Sequence, residues 1–179
     1  SLKMRLGWEN ASECMVLVEL LNTLRLSRIA LHARTGKQQY KGHPDLEAFQ
    51  GFYELCQHPL YYNGGIESLS DIRQILIRFP LLKGVFIGRG LLSSPLLAKE
   101  FKGNETFLPE QRMSIYFAFH EELFSAYSQV LQGETQLLVK MKTLWEYFLP
   151  ETDRKLLKRI KKSTRLQQYT ESVKAIFTS

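Results

Sequence analysis

The chain has 179 residues, enough for one large domain or two small ones, and its 44% hydrophobic and 23% charged residues describe a folded protein rather than a disordered or fibrous one. Arg, Lys, Glu or Asn interrupts every apolar run short of the roughly 18–20 residues a membrane span requires, and the two cysteines, Cys14 and Cys56, sit among helix-like apolar residues, which argues against a disulfide scaffold. The net charge of +6 leaves room for a polyanionic partner without demanding one, and residues 1–7 carry no apolar signal-peptide core, so the cytoplasm is the expected compartment.

Four short apolar runs, 2–6, 29–32, 60–62 and 84–87, each give way to a polar or glycine-rich stretch. Helical patterns fill the intervals. Asn10 can cap the first, with Glu13 at the capping-box position and Leu17, Val18, Leu21 and Leu24 following at helical spacing. The second carries Leu46, Phe49, Tyr53 and Cys56 on one face. The third opens on Ser68 with Asp71, continues through Ile72, Ile75, Leu76 and Phe79, and ends at Pro80. Strand–helix units of about 25–30 residues imply parallel α/β structure, because a parallel connection must cross back over the sheet.

Past residue 102 the pattern becomes helical only. Residues 103–106 read as a linker, and helices are expected over 110–131, over 134–149 (Leu137, Met141, Leu144, Trp145 and Phe148 on the buried face), from near Asp153 (Leu156, Leu157 and Ile160) and over 167–177 (Tyr169, Val173 and Ile176). The expected fold is therefore α/β: four βα units, half of a TIM (β/α)8 barrel, over 1–102, then a small all-α helical domain over 103–179. Residues 2–6 read as a buried parallel strand with nothing before them to cover its edge. An open hydrophobic edge is an aggregation hazard, so the chain is expected to be a fragment of a longer protein and to form a homodimer through the open barrel edges.

Each strand ends in residues suited to a ligand: Lys3-Met4-Arg5 leading to Gly7, His32-Ala33-Arg34-Thr35, Asn63-Gly64-Gly65 and Gly88-Arg89-Gly90. In a parallel barrel these ends open onto one face. Taken singly, Asn-Gly-Gly is an ordinary turn and His32 an ordinary hydrogen-bonded histidine; the signal is their recurrence in four successive units. Glycines permit close backbone approach, and Gly-Arg ahead of a helix start offers amide donors plus a guanidinium, a combination suited to phosphate.

Residues 32–42 (His-Ala-Arg-Thr-Gly-Lys-Gln-Gln-Tyr-Lys-Gly), 62–66 (Tyr-Asn-Gly-Gly-Ile) and 84–90 (Gly-Val-Phe-Ile-Gly-Arg-Gly), in that order and at those intervals, resemble the second half of the tRNA-dihydrouridine synthases. The resemblance is close over 1–102, and the helical remainder is similar in character to the family's C-terminal RNA-binding domain. It implies the C-terminal half of an FMN-binding barrel, in which reduced flavin, replenished by NAD(P)H, delivers hydride to a uridine flipped out of tRNA. Carried over by position, it implies that Lys3 contacts the flavin ring, that His32 lies beside it, that Asn63, Gly64 and Gly65 line the phosphate and ribityl region, and that Gly88 and Arg89 close on the phosphate. Arg34 would face the uridine or tRNA. Two positions depart from the family pattern: Ala33 stands where glycine is usual and Gly65 where aspartate is usual, the second removing a carboxylate from that loop. The family's general acid is a cysteine in the first half of the barrel, on a loop this sequence does not contain. Cys14 and Cys56 fall in helical patterns, so no catalytic residue is assigned and the chain alone is expected to be inactive.

Residues 154–165 contain seven basic residues and no acid: Arg154, Lys155, Lys158, Arg159, Lys161, Lys162 and Arg165. On a helix Arg154, Lys158, Lys161, Lys162 and Arg165 share one broad face, opposite Leu156, Leu157 and Ile160. Such a run is either a solvated surface or a contact for an anionic backbone, here tRNA. His120, Glu121 and Glu122 do not make a metal site, because adjacent helical residues diverge and no second histidine lies a turn away. Trp145 fits the core better than a base-stacking role. Two other readings fit the same residues: an RNA-binding module without catalysis on a retained barrel scaffold, and another FMN-binding barrel oxidoreductase acting on a small metabolite.

Overall fold

The structure, a computed structural model, describes residues 1–178. They divide into two compact units, Ser1–Gly90 and Leu91–Ser179, a division twelve residues ahead of the 102/103 boundary expected from composition.

The first unit is an α/β layer of β1 (Leu2–Gly7), α1 (Glu13–Thr23), β2 (Ile29–Thr35), α2 (Leu46–Leu55), β3 (Leu60–Asn63), α3 (Leu69–Arg78) and β4 (Gly84–Phe86). The four strands are parallel and lie in sequence order, β1-β2-β3-β4, as in a singly wound barrel. β2 is buried along nearly its whole length, as a strand flanked on both sides and covered on both faces must be. β1 corrects the sequence reading. Leu6 alone among its residues is fully buried and Leu2 and Met4 are only half-covered, because β1 is an edge strand with a neighbour on one side.

Helix termini follow local chemistry. Ser68 and Asp71 form the expected capping box at the start of α3, an arrangement worth about 1 kcal/mol. At α1 half of the expected box is present: Glu13 accepts from the backbone N–H groups of Trp8, Glu9 and Asn10, but the helix begins at Glu13 rather than after Asn10. It buries Cys14, Val18 and Leu21 and leaves Leu17 and Leu24 exposed. α2 buries Phe49 and Phe52, and Phe49 meets the rings of Tyr62 and Phe79 edge-on at 4.9 and 5.0 Å, geometry that aromatic quadrupoles favour.

Beyond α4 (Arg89–Ser93) the second unit holds α5 (Leu97–Gly103), α6 (Pro109–Val130), α7 (Glu134–Leu144), α8 (Arg154–Lys162) and α9 (Leu166–Phe177), with no strand among the described residues. α4 begins at the helix start expected after Gly88, whereas α5 has no sequence counterpart and runs into the stretch that reads as a linker, ending where Asn104 adopts the left-handed conformation. α7 stops five residues short of its predicted end because Trp145, Glu146 and Tyr147 bond back three residues rather than four, tightening the chain out of the α-helix. Trp145, Phe148, Met141, Ile160, Tyr169 and Val173 form the core. Trp145 is thus a core residue, its Nε1–H donating to the Tyr169 hydroxyl (3.0 Å), which also meets Nε2 of buried His120 at 2.6 Å.

Candidate functional site

Side chains two apart on a strand share a face, and in-register parallel neighbours align across the sheet. Arg5 pairs with His32, His32 with Asn63 and Asn63 with Phe86, so one row crosses all four strands, and Lys3 and Arg34 flank it at the same parity. The opposite parity, Met4, Leu31, Tyr62 and Val85, belongs to the other face. Alternation along β1–β3 thus divides polar chemistry from core.

The row opens into a cavity of about 290 Å³ lined by Lys3, Arg5, His32, Arg34, Tyr40, Asn63, Gly64, Gly65, Glu67, Phe86, Gly88 and Arg89, among others. Every residue expected to hold the cofactor lies here. Asn63 Nδ2 donates to the Phe86 carbonyl at 2.7 Å, tying the ends of β3 and β4 together. Gly64 and Gly65 take φ of +134° and +61°, a path that side-chain-bearing residues rarely follow. A Cβ on Gly64 would meet the His32 ring edge at 3.1 Å and one on Gly65 would meet Pro44 at 2.9 Å, whereas Gly88 faces open space. Gly90 lets its helix start touch the loop after β3, since a Cβ there would lie 2.2 Å from the Ile66 carbonyl oxygen.

Four permanent cations, Lys3, Arg5, Arg34 and Arg89, face one carboxylate, Glu67, in this lining. His32 is nearly buried; burial first, then Arg5, Arg34, Lys3 and Arg89, hold its imidazole down at about 4, so it is neutral at pH 7. Arg34 lines the cavity from β2. It is 5% exposed, its Nη2 donates to the Gly42 carbonyl at 3.0 Å, its Nη1 lies 3.3 Å from His32 Nε2, and its buried Nε has no hydrogen-bond partner. A buried donor without an acceptor costs about 1–3 kcal/mol, which an acceptor-bearing ligand would recover.

Sequence reasoning gave no role to Tyr40 or Glu67 and named Arg5 only among the strand-end residues. The Arg89 guanidinium lies 4.0 Å from the Tyr40 ring centroid and that of Arg5 lies 5.7 Å away. Arg5 also donates to the Thr35 and Gln39 carbonyls at 2.7 and 3.2 Å, pinning the loop that carries Tyr40. The available signal was an aromatic within a polar run, Gln38-Gln39-Tyr40-Lys41. Neither cysteine lines the cavity; burial pushes both thiols up, away from the reactive thiolate form.

In the second unit all seven basic residues of 154–165 are exposed. Lys155, Lys158, Arg159 and Lys162 line a groove of about 460 Å³ with Ser163, Gln168, Glu171 and Ser172. Arg154, Lys161 and Arg165 lie outside that lining. With Ile160 buried and Leu156 and Leu157 packed on the core, the cations of α8 occupy the rest of the helix circumference.

The description Dihydrouridine synthase (Dus) belongs to a family model that matches residues 1–178. Similar proteins include a "Probable tRNA-dihydrouridine synthase" of Aquifex aeolicus (strain VF5), 35% identical over 102 residues, which are 57% of this chain and 32% of that one. The tRNA-dihydrouridine(16) synthase of Escherichia coli (strain K12) is 28% identical over 110 residues, 61% of this chain and 35% of its own. A further "Probable tRNA-dihydrouridine synthase", from Rickettsia conorii (strain ATCC VR-613 / Malish 7), is 24% identical over 137 residues, 72% and 41% respectively. The chain spans about a third of the length of the first curated relatives it matches.

Proposed function

The chain belongs to the dihydrouridine synthase family, and on that premise we propose that it is part of an FMN-dependent tRNA-dihydrouridine synthase. Ser1–Gly90 would be the C-terminal half of the flavin barrel and Leu91–Ser179 a tRNA-binding unit. The observation that carries the reading is the convergence of Lys3, His32, Asn63, Gly64, Gly65, Gly88 and Arg89 on one cationic cavity at the carboxyl ends of parallel strands.

The residues present fit FMN. The unpartnered Arg34 Nε needs an acceptor, four cations against one carboxylate need an anion, and the open space over Gly88 admits one beside the backbone. The cavity is just below the ~300–1,000 Å³ typical of ligand sites, which suits the phosphate and ribityl end, the rest of the nucleotide lying against parts of a longer protein. Gly64, Gly65, Gly88 and Arg89 would hold the phosphate by backbone N–H donors and a charge-assisted bond, and Lys3 and His32 would flank the ring. When bound, FMN supplies the hydride that reduces the uridine C5=C6 bond, with NAD(P)H as reductant. The four cations favour negative charge in the cavity and would stabilise an anionic flavin. His32, neutral, orients without adding charge. Neither thiol lines the cavity, so the general acid would come from another part of a longer protein. The groove cations Lys155, Lys158, Arg159 and Lys162 would meet tRNA phosphates, with Arg154, Lys161 and Arg165 adding to the field around them.

Titrating FMN into the purified chain and reading flavin fluorescence tests this. Arg89→Ala should weaken binding about 10- to 100-fold, since a charge-assisted hydrogen bond is worth about 1.5–3 kcal/mol. An unchanged dissociation constant would remove Arg89 from the phosphate site.

A further inference from the structure

We propose that Arg34 is a positioning residue for His32: it donates to His32 Nε2 and so fixes the ring as the neutral tautomer whose Nδ1–H serves as the donor. A guanidinium carries five N–H donors and no acceptor. Arg34 Nη1 lies 3.3 Å from His32 Nε2, so Nε2 must offer its lone pair. The ring proton then resides on Nδ1, and the imidazolium, which would present two donors, is excluded at this contact.

Three features hold the arrangement. Arg34 Nη2 donates to the Gly42 carbonyl at 3.0 Å, so the guanidinium fork is anchored from the β2–α2 loop and cannot swing away from the histidine without losing that bond. The ring edge bearing Cδ2 and Nε2 abuts Gly64, where an added Cβ would approach to 3.1 and 3.4 Å. The charged groups around the ring also oppose a second proton: Lys3 and Arg5 from β1, Arg34 from β2 itself and Arg89 from α4, against Glu67 after β3, with the phenols of Tyr40 and Tyr62 on the loop and on β3. Free histidine favours the Nε2–H form, so Arg34 reverses the intrinsic preference. With its unpartnered Nε–H, Arg34 adds a second donor, and the pair suits a ligand carrying acceptor atoms and no matching donors. The identity of that ligand as flavin rests on the reading above; the tautomer is a property of the chain itself.

The test is long-range ¹H–¹⁵N correlation of the 179-residue chain labelled at histidine nitrogen, at pH 7 and without flavin, with His32 assigned by the signals lost in His32→Gln. A pyrrole-type Nδ1 and a pyridine-type Nε2 are expected. Arg34→Met should shift the ring to the Nε2–H form or a mixture, and Arg34→Lys, which keeps a cationic donor, should retain Nδ1–H. An Nε2–H ring in the unaltered chain overturns the inference outright, and this measurement needs no variant to fold. Nδ1–H persisting in a folded Arg34→Met, or lost in Arg34→Lys, overturns the positioning role. FMN titration is read separately: failure to bind with the expected tautomer in place counts against the flavin reading and leaves the Arg34–His32 assignment standing.

Discussion

Replacing Lys155, Lys158 and Lys162 together with alanine removes three of the four cations that line the α8–α9 groove. All three are exposed, and the face of α8 that packs on the core, Leu156, Leu157 and Ile160, is untouched. Alanine is the best helix former, and α8 keeps its Asp153 cap and the Lys142 Nζ bond to the Ser163 carbonyl, so the fold should survive. Each phosphate neutralised contributes about 0.9 to the slope of log affinity against log salt on a duplex. Three lost contacts should therefore flatten the slope by roughly 2–3 units. Between 50 and 200 mM salt, slopes of that size imply that the unaltered chain loses about 40-fold more tRNA affinity than the variant. The matched control is Arg154, Lys161 and Arg165 to alanine, which removes the same charge from outside the groove. If only long-range attraction matters, the two triple variants will behave alike; if the groove holds the backbone, only the first flattens the slope. Fluorescence anisotropy of labelled tRNA at four or more salt concentrations separates these, and equal slopes would refute the groove as the contact.

Other consequences concern stability and assembly. Glu100 is 3% exposed and paired with Arg112, whose Nη2 also reaches the Tyr116 hydroxyl at 3.0 Å. Arg112→Met strands that carboxylate and should cost about 3 kcal/mol in urea unfolding, while adding Glu100→Leu recovers most of it; a loss under about 1 kcal/mol from Arg112→Met would contradict the pairing. His32 gives a pH dependence whose sign is fixed. Its folded value of about 4 lies below the ordinary 6.5, so between these the unfolded chain binds the proton and stability rises with pH. The contribution, about 3 kcal/mol, is fully present above pH 6.5 and lost as pH falls toward 4; His32→Gln should remove about one proton's slope in that window, and an unchanged slope refutes the neutral buried ring. The outer edges of β1 and β4 have no strand partner among the described residues, so sedimentation at micromolar concentration should show a dimer or larger assembly through these edges, and a clean monomer counts against it.

What could be read in the sequence divides along a physical line. Strand–helix alternation, capping residues and glycine-rich strand ends are local signals, and they located the four βα units and the Asn63, Gly64, Gly65, Gly88 and Arg89 loops that the register then brings together. Pairings across long separations leave no local trace. Arg89 on the Tyr40 ring joins positions 49 residues apart, and no spacing rule connects them. The apolar content of β1 predicts burial, yet coverage depends on neighbours, and an edge strand has one. The basic segment shows the same limit more finely: composition revealed seven cations, but which four enter the groove depends on how Ile160 seats in its core. Arg34 is the sharpest instance. Arginine is mostly exposed in proteins, and it was the family resemblance that implied Arg34 faces the uridine or tRNA. Its position adds a constraint, because it shares β2 and parity with His32, two residues away on a strand buried along nearly its whole length. A long cationic side chain on such a strand must either meet acceptors within the protein or wait for one from a ligand, and Arg34 does both: Gly42 and His32 occupy its two terminal nitrogens and its Nε remains to be matched. Parity on a buried strand is therefore what makes the hydrogen-bonding demand of Arg34 legible in the sequence.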